Sequence, residues 1–109
     1  MKTYLIVLAL WALAMPALAS EQPDPEQLFT TNGCIGCHTI DGRGGDVGAN
    51  LSDIGARHDQ AFIRTSILKP NAYVEKGFPR SVMPSIFGKT LSDTELDTLV
   101  DWLARHQGQ

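Results

Sequence analysis

The chain has 109 residues, enough for one small domain. Its 9 Lys+Arg stand against 12 Asp+Glu, a formal net charge of −3. That balance excludes a nucleic-acid binder, which needs a basic footprint. Aromatic residues make up only 7% of the chain. The core such a domain can bury is modest, so it needs a staple: a disulfide, a metal or a large ligand.

Residues 1–19 read as a secretory signal. Lys2 gives a positive start, and the apolar run from Tyr4 to Ala14 follows. Pro16 breaks the run, and Ala17 and Ala19 place small residues before Ser20. This is the layout of cleavage after Ala19. The run is apolar on every side, unlike a helix of a globular domain. Retained, it would anchor the protein to a membrane. A full span needs about 20 apolar residues, however, and Pro16 interrupts this one. The expectation is export to the periplasm, with residues 20–109 as the folded domain and no firm membrane insertion after cleavage.

The first helix opens at "DPEQLFTTNG". Asp24 is placed to cap it, Pro25 suits the first helical position, and Glu26 suits the positive end of the helix dipole. Gly33 marks its end. "CIGCH" follows at once and holds both cysteines of the chain. C-x-x-C-H is the attachment motif of c-type haem. One turn of backbone brings two thiols to the two porphyrin vinyl groups, and the adjacent His38 offers a ring nitrogen to the iron. Three other uses of these residues are weaker. A thioredoxin-like pair wants a βαβ setting, which is missing. Zinc wants four ligands, so His58 or His106 would have to complete the set. A disulfide across so short a loop stabilises little. None of the three explains a histidine directly after the second cysteine.

The next segment, "DGRGGDVGANL", carries Gly42, Gly44, Gly45 and Gly48. It has no following G-K-[ST], so a phosphate cradle is not indicated. Its backbone either passes close to a flat ligand or forms a plain flexible loop. The second helix spans "DQAFIRTSILKP", with Asp59 as cap, Phe62, Ile63 and Ile67 at apolar spacing, and Pro70 as stop. The long loop after it contains Met83, the one methionine of the domain, between Pro79 and Pro84. A packing methionine usually sits on a helix or strand. A thioether in a proline-held loop suggests the second axial ligand of a His/Met iron, with His58 and His106 as fallbacks. Both histidines otherwise read as surface residues.

The third helix, "LSDTELDTLVDWLARHQG", is the clearest element. Ser92 and Glu95 form a capping box, and Leu91 and Leu96 suit a hydrophobic staple. Leu96, Leu99, Val100 and Leu103 make one buried stripe, with Trp102 beside it. No run of alternating β-branched residues argues for a sheet. The fold class is all-α: three or more short helices and long loops. Loops of that length belong around a ligand or in a functional site.

"CIGCHTI", "VMP" and the Leu99/Trp102 pair together resemble the class I c-type cytochromes, small single-haem electron carriers. The resemblance covers about residues 24–106. "SILKPNAYVEKGFPRSVMPSIFGKTLSDTELDTLVDWL" is similar to the cytochrome c domain of some bacterial oxidase subunit II proteins. It implies a cytochrome c fold wrapped round one covalent haem c on Cys34 and Cys37, with His38 and Met83 as axial ligands. The last helix would pack across the first, near Leu28 and Phe29. Tyr73, Arg57 and Arg80 become candidates for the haem propionates. One departure stands out: the family often has "GPNL" where this chain has "GANL". The carbonyl of Ala49 remains available to the Nδ1–H of His38, without proline's rigidity.

The implied function is one-electron transport in a bacterial respiratory or related redox chain, not catalysis, because filled axial positions favour electron transfer. The partners would be redox proteins, such as a membrane terminal oxidase or a periplasmic dehydrogenase. Lys69, Lys76, Arg80 and Lys89 surround Met83 and could steer an acidic partner there. The alternatives are a haem subunit of a periplasmic oxidoreductase complex, or a gas or redox sensor in which Met83 is displaced.

Overall fold

The computed structural model describes residues 3, 6–16 and 22–108. The expected cleavage point at Ala19 and Ser20 lies outside them. Residues 6–16 carry no regular secondary structure, and Leu8, Leu10, Trp11 and Leu13 are exposed. No helix among the described residues is long and apolar enough to cross a membrane.

Six helices and one two-residue ladder follow in the order α1 (Pro25–Thr31), α2 (Cys34–Cys37), β1 (Thr39–Ile40), β2 (Arg43–Gly44), α3 (Ile54–Arg57), α4 (Gln60–Leu68), α5 (Phe87–Thr90) and α6 (Asp93–Ala104). The three longest are those read from the sequence, and local chemistry sets their ends. The Asp24 carboxylate accepts from the Glu26 and Gln27 amides, with Pro25 at the first helical position of α1. Asp59 accepts from Phe62 N–H and so starts α4. Ser92 and Glu95 close a reciprocal capping box on α6. Such a cap satisfies donors the helix cannot pair internally and is worth roughly 1 kcal/mol.

The three remaining helices are single turns of four residues. Turns that short carry no periodicity to detect, which is why only the longer helices were expected. The β1–β2 ladder was likewise not expected. It pairs Thr39 with Gly44 and Ile40 with Arg43, antiparallel. Asp41 and Gly42 connect the strands with φ of 49° and 77°. Two successive positive φ values make the connection a two-residue hairpin, and Asp-Gly is among its preferred sequences. The dipeptide was the available signal.

The core is built on α6. Leu96, Leu99, Val100 and Leu103 are buried, as are Leu28 and Phe29 of α1 and Ile63 and Ile67 of α4. Helices α1, α3 and α4 pack on α6. The Phe29 and Trp102 rings meet with centroids 5.5 Å apart and planes tilted by 58°. Each such apolar side chain contributes roughly 1.5–3 kcal/mol on burial. At the crossing of α3 and α6, a Cβ on Gly55 would collide with the Ala104 carbonyl, so only glycine allows this approach. No polar or charged residue among those described is buried. Several core residues leave one side open, however, and that side faces the site.

Candidate haem-binding site

A cavity of about 330 Å³ opens beside the core. Its apolar floor is made by Ile54, Ile63, Ile67, Phe87 and Leu103, all members of the buried core. The volume lies within the range of small-molecule and cofactor pockets, roughly 300–1,000 Å³. Core side chains that also line a cavity lack packing partners on one face, which costs dispersion contacts. A large apolar ligand would supply those contacts.

Four of the residues singled out in the sequence line this cavity: Cys34, Cys37, His38 and Met83. The two cysteines begin and end the single turn α2, and His38 caps it, its N–H donating to the Cys34 carbonyl at 2.9 Å. Gly33 leads into the turn with φ of 81°, a conformation that α1's terminus requires and that glycine supplies cheaply. The cysteines are free thiols. Burial pushes the Cys34 thiol above its ordinary value, and Cys37 adds to this, while a backbone hydrogen bond opposes it. A redox-active cysteine needs the reverse, a stabilised thiolate. The burial of Cys34 runs against such a use.

His38 is held from two sides. Its Nδ1 lies 2.7 Å from the Ala49 carbonyl oxygen. A carbonyl only accepts, so Nδ1 carries a proton, and Nε2 is the ring nitrogen left for a metal to take. The bond expected to survive the replacement of proline by Ala49 is thus present. The segment around Ala49 is tied by other means. Gly48 N–H donates to the Cys37 carbonyl at 2.8 Å, and Leu51 N–H donates to the Thr39 carbonyl at 2.8 Å. The Asn50 carbonyl accepts from Arg57 at 3.0 Å. Hydrogen bonds on both flanks do the work of a fixed φ.

The glycine-rich segment corrects one expectation. It is not a slack loop, because Gly44, Gly45 and Gly48 lie hard against neighbouring groups. A Cβ on Gly44 would collide with the His38 and Ile35 carbonyls, and one on Gly45 with the Gly36 carbonyl. At Gly48 it would stand 2.6 Å from Cε1 of the His38 ring. The glycines let this segment lie directly on the "CIGCH" turn and brace it. Thr39 adds a hydroxyl bond to the Gly45 carbonyl at 2.8 Å.

Met83 is half-buried, packs against the core and comes from the irregular stretch between α4 and α5. The two other histidines are not the surface residues they were expected to be. His58 lines the cavity and stacks on Phe62 at 3.6 Å between centroids, with Tyr73 edge-on to both rings. His106 is 12% exposed at its side chain, with Nδ1 2.9 Å from the Trp102 carbonyl and Nε2 3.2 Å from Asp41. Both its ring nitrogens are engaged outside the cavity, so it does not serve as a fallback ligand. Among the described residues no group of three or more His, Cys, Asp and Glu side chains converges as a metal site.

Of the candidate propionate partners, Arg57 and Tyr73 line the cavity. Arg57 is also paired with Asp53 at 2.9 Å and Glu75 at 3.3 Å. Arg80 points instead to the Asn71 carbonyl, at 3.1 Å.

The family model for cytochrome c matches residues 25–107. The chain belongs to the cytochrome c family. No curated protein and no solved structure gives a match. The cytochrome c family carries a covalently bound c-type haem and serves as a haem-based electron carrier working with redox partner proteins. The residues present suit that group: an apolar cavity continuous with the core, two free thiols three residues apart at its wall, and an imidazole held through Nδ1 whose Nε2 has no hydrogen-bond partner among the described residues. The all-α cytochrome c fold expected from the sequence is the fold observed, six helices with a minimal sheet.

Proposed function

We propose that this cytochrome c is an exported one-electron carrier whose haem is fastened by Cys34 and Cys37 and ligated by His38 and Met83. The observation that carries the reading is the convergence of these four side chains on one apolar cavity, with His38 already oriented through Ala49. Cys34 and Cys37 would hold the ring by adding across its two vinyl groups, sulfur to one carbon and hydrogen to the other, with no oxidant consumed. The bound haem iron supplies reversible exchange of one electron between ferrous and ferric states.

The chain's own residues set the conditions of that exchange. Ala49 fixes the tautomer of His38 and strengthens its basicity toward the iron. Met83 offers a thioether, which raises the reduction potential above that of nitrogen-only ligation. Ile54, Ile63, Ile67, Phe87 and Leu103 line the cavity and would keep water from a ring bound there. Were His38 and Met83 both to hold the iron, the site would favour electron transfer over chemistry on a substrate, and the protein would act as a carrier rather than an enzyme.

The proposed setting is a bacterial respiratory chain, in the periplasm, after removal of residues 1–19. Lys69, Lys76, Arg80 and Lys89 are exposed around the Met83 segment, and none is in an ion pair among the described residues. Exposed cations on the stretches of chain that flank Met83 favour encounter with an acidic redox partner, and the effect weakens as salt rises. A membrane terminal oxidase or a periplasmic dehydrogenase is such a partner.

Met83→Ala tests the ligand assignment. The ferric protein should lose the weak far-red charge-transfer band of iron–thioether bonding, and its reduction potential should fall. A variant that keeps both band and potential removes Met83 from the iron.

A further inference from the structure

The segment that presents Met83 has no secondary structure to hold it, yet one side chain ties it back to the end of α4. Asn71 Oδ1 accepts from the Ser81 N–H at 2.8 Å. The carbonyl of the same residue accepts from the Arg80 guanidinium at 3.1 Å. Asn71 follows Pro70, which is buried and stops α4, so its backbone is fixed against the helical scaffold. The Ser81 end is the opposite case. Ser81 has a φ of 63°, one of only two non-glycine residues among those described in the left-handed region. A serine enters that region at a cost unless something local holds it there. The two hydrogen bonds to Asn71 supply the hold, and Met83 is two residues further on.

We infer that Asn71 is a positioning residue for the iron: it clamps residues 80–81 so that the Met83 thioether is delivered to the cavity at the depth the metal requires. The inference rests on Met83 being the ligand. It assigns to Asn71 no contact with the metal. Its action is to lower the population of states in which the segment lifts and the sixth position opens. Losing one hydrogen bond of ordinary net strength changes such a population by roughly two- to tenfold. An added ligand competing for the ferric iron reads that change directly, because its apparent affinity scales with the open fraction.

The test is a titration of the ferric holoprotein with imidazole, together with the far-red band, in four proteins. Asn71→Ala should bind imidazole roughly two- to tenfold more tightly than wild type, and its far-red band should weaken. Asn71→Asp keeps an oxygen acceptor for the Ser81 amide and should stay close to wild type. Asn71→Ala combined with Ser81→Gly should recover part of the loss, since glycine takes a φ of this sign without strain. A merely structural role would lower the unfolding midpoint without moving imidazole affinity in this pattern. If Asn71→Ala binds imidazole as wild type does and keeps its band, the clamp is wrong and the ligand assignment stands. If wild type itself lacks the band, the Met83 assignment fails and this inference fails with it.

Discussion

Replacing Cys34 and Cys37 together by alanine should yield a protein from which all haem is lost on acid–organic extraction, whereas the wild type should retain all of it. Each single variant keeps one thioether and should keep covalent haem with slightly shifted ferrous bands. The stability effect should be larger than two surface-sized truncations imply. Ile54, Ile63, Ile67, Phe87 and Leu103 face the cavity as well as the core. A permanently attached ring would give these side chains packing partners along the cavity wall, and without it each forfeits those dispersion contacts. A net stability of only about 5–15 kcal/mol for a small domain does not survive many such losses. The double variant is therefore expected to give a broad, weakly cooperative thermal transition by circular dichroism. Haem that resists extraction from the double variant would show that the cysteines are not its attachment points.

Gly48→Ala is the second large effect, and it acts through geometry alone. The new Cβ would stand 2.6 Å from Cε1 of His38. Neither partner has room to yield: the ring is held by its 2.7 Å bond to Ala49, and the Gly48 amide donates to the Cys37 carbonyl at 2.8 Å. Overpacking of this kind costs about 1–3 kcal/mol. A His38 Nδ1–H torn from its acceptor adds about 1–3 kcal/mol if left unsatisfied. The expected outcome is a lower thermal midpoint together with loss of the sharp low-spin ferrous spectrum as the imidazole is pushed off its axis. Gly36→Ala is the control, because a Cβ there meets nothing within 4 Å. It should leave spectrum and midpoint unchanged. Equal behaviour of the two variants would refute the bracing role given to Gly48.

How much of this was legible beforehand follows from the kind of signal each feature leaves. The longer helices announce themselves by caps and stripes: Asp24 before Pro25, Asp59 before Phe62, and the Ser92/Glu95 box before Leu96, Leu99, Val100 and Leu103. "CIGCH" and Met83 stood out because thiols, imidazole and thioether are rare groups with narrow uses, and the structure places all four side chains on one cavity. The single turns α3 and α5 left no trace, since four residues hold about one period of a helix. The true work of Gly44, Gly45 and Gly48 was hidden for a different reason. Glycine signals that something is close, and only coordinates say what, here the α2 backbone and the His38 ring. His58 and His106 were misplaced because both stand beside helix ends, where histidine is commonly solvated. Tertiary contacts with Phe62 and Tyr73 in one case, and with Trp102 and Asp41 in the other, decided their environments. Asn71 was missed altogether, because its side chain bonds Ser81, ten residues on, and local sequence patterns signal only bonds within a few residues.

The most direct measurement of the central claim is a spectroelectrochemical titration of the wild-type protein, expressed with haem-attachment machinery and purified in its mature form. The account predicts sharp ferrous bands of a covalently held haem, a far-red band in the ferric form, and a single reversible transition fitting one electron. A colourless protein, or a coloured one that takes up no electron reversibly, would contradict it.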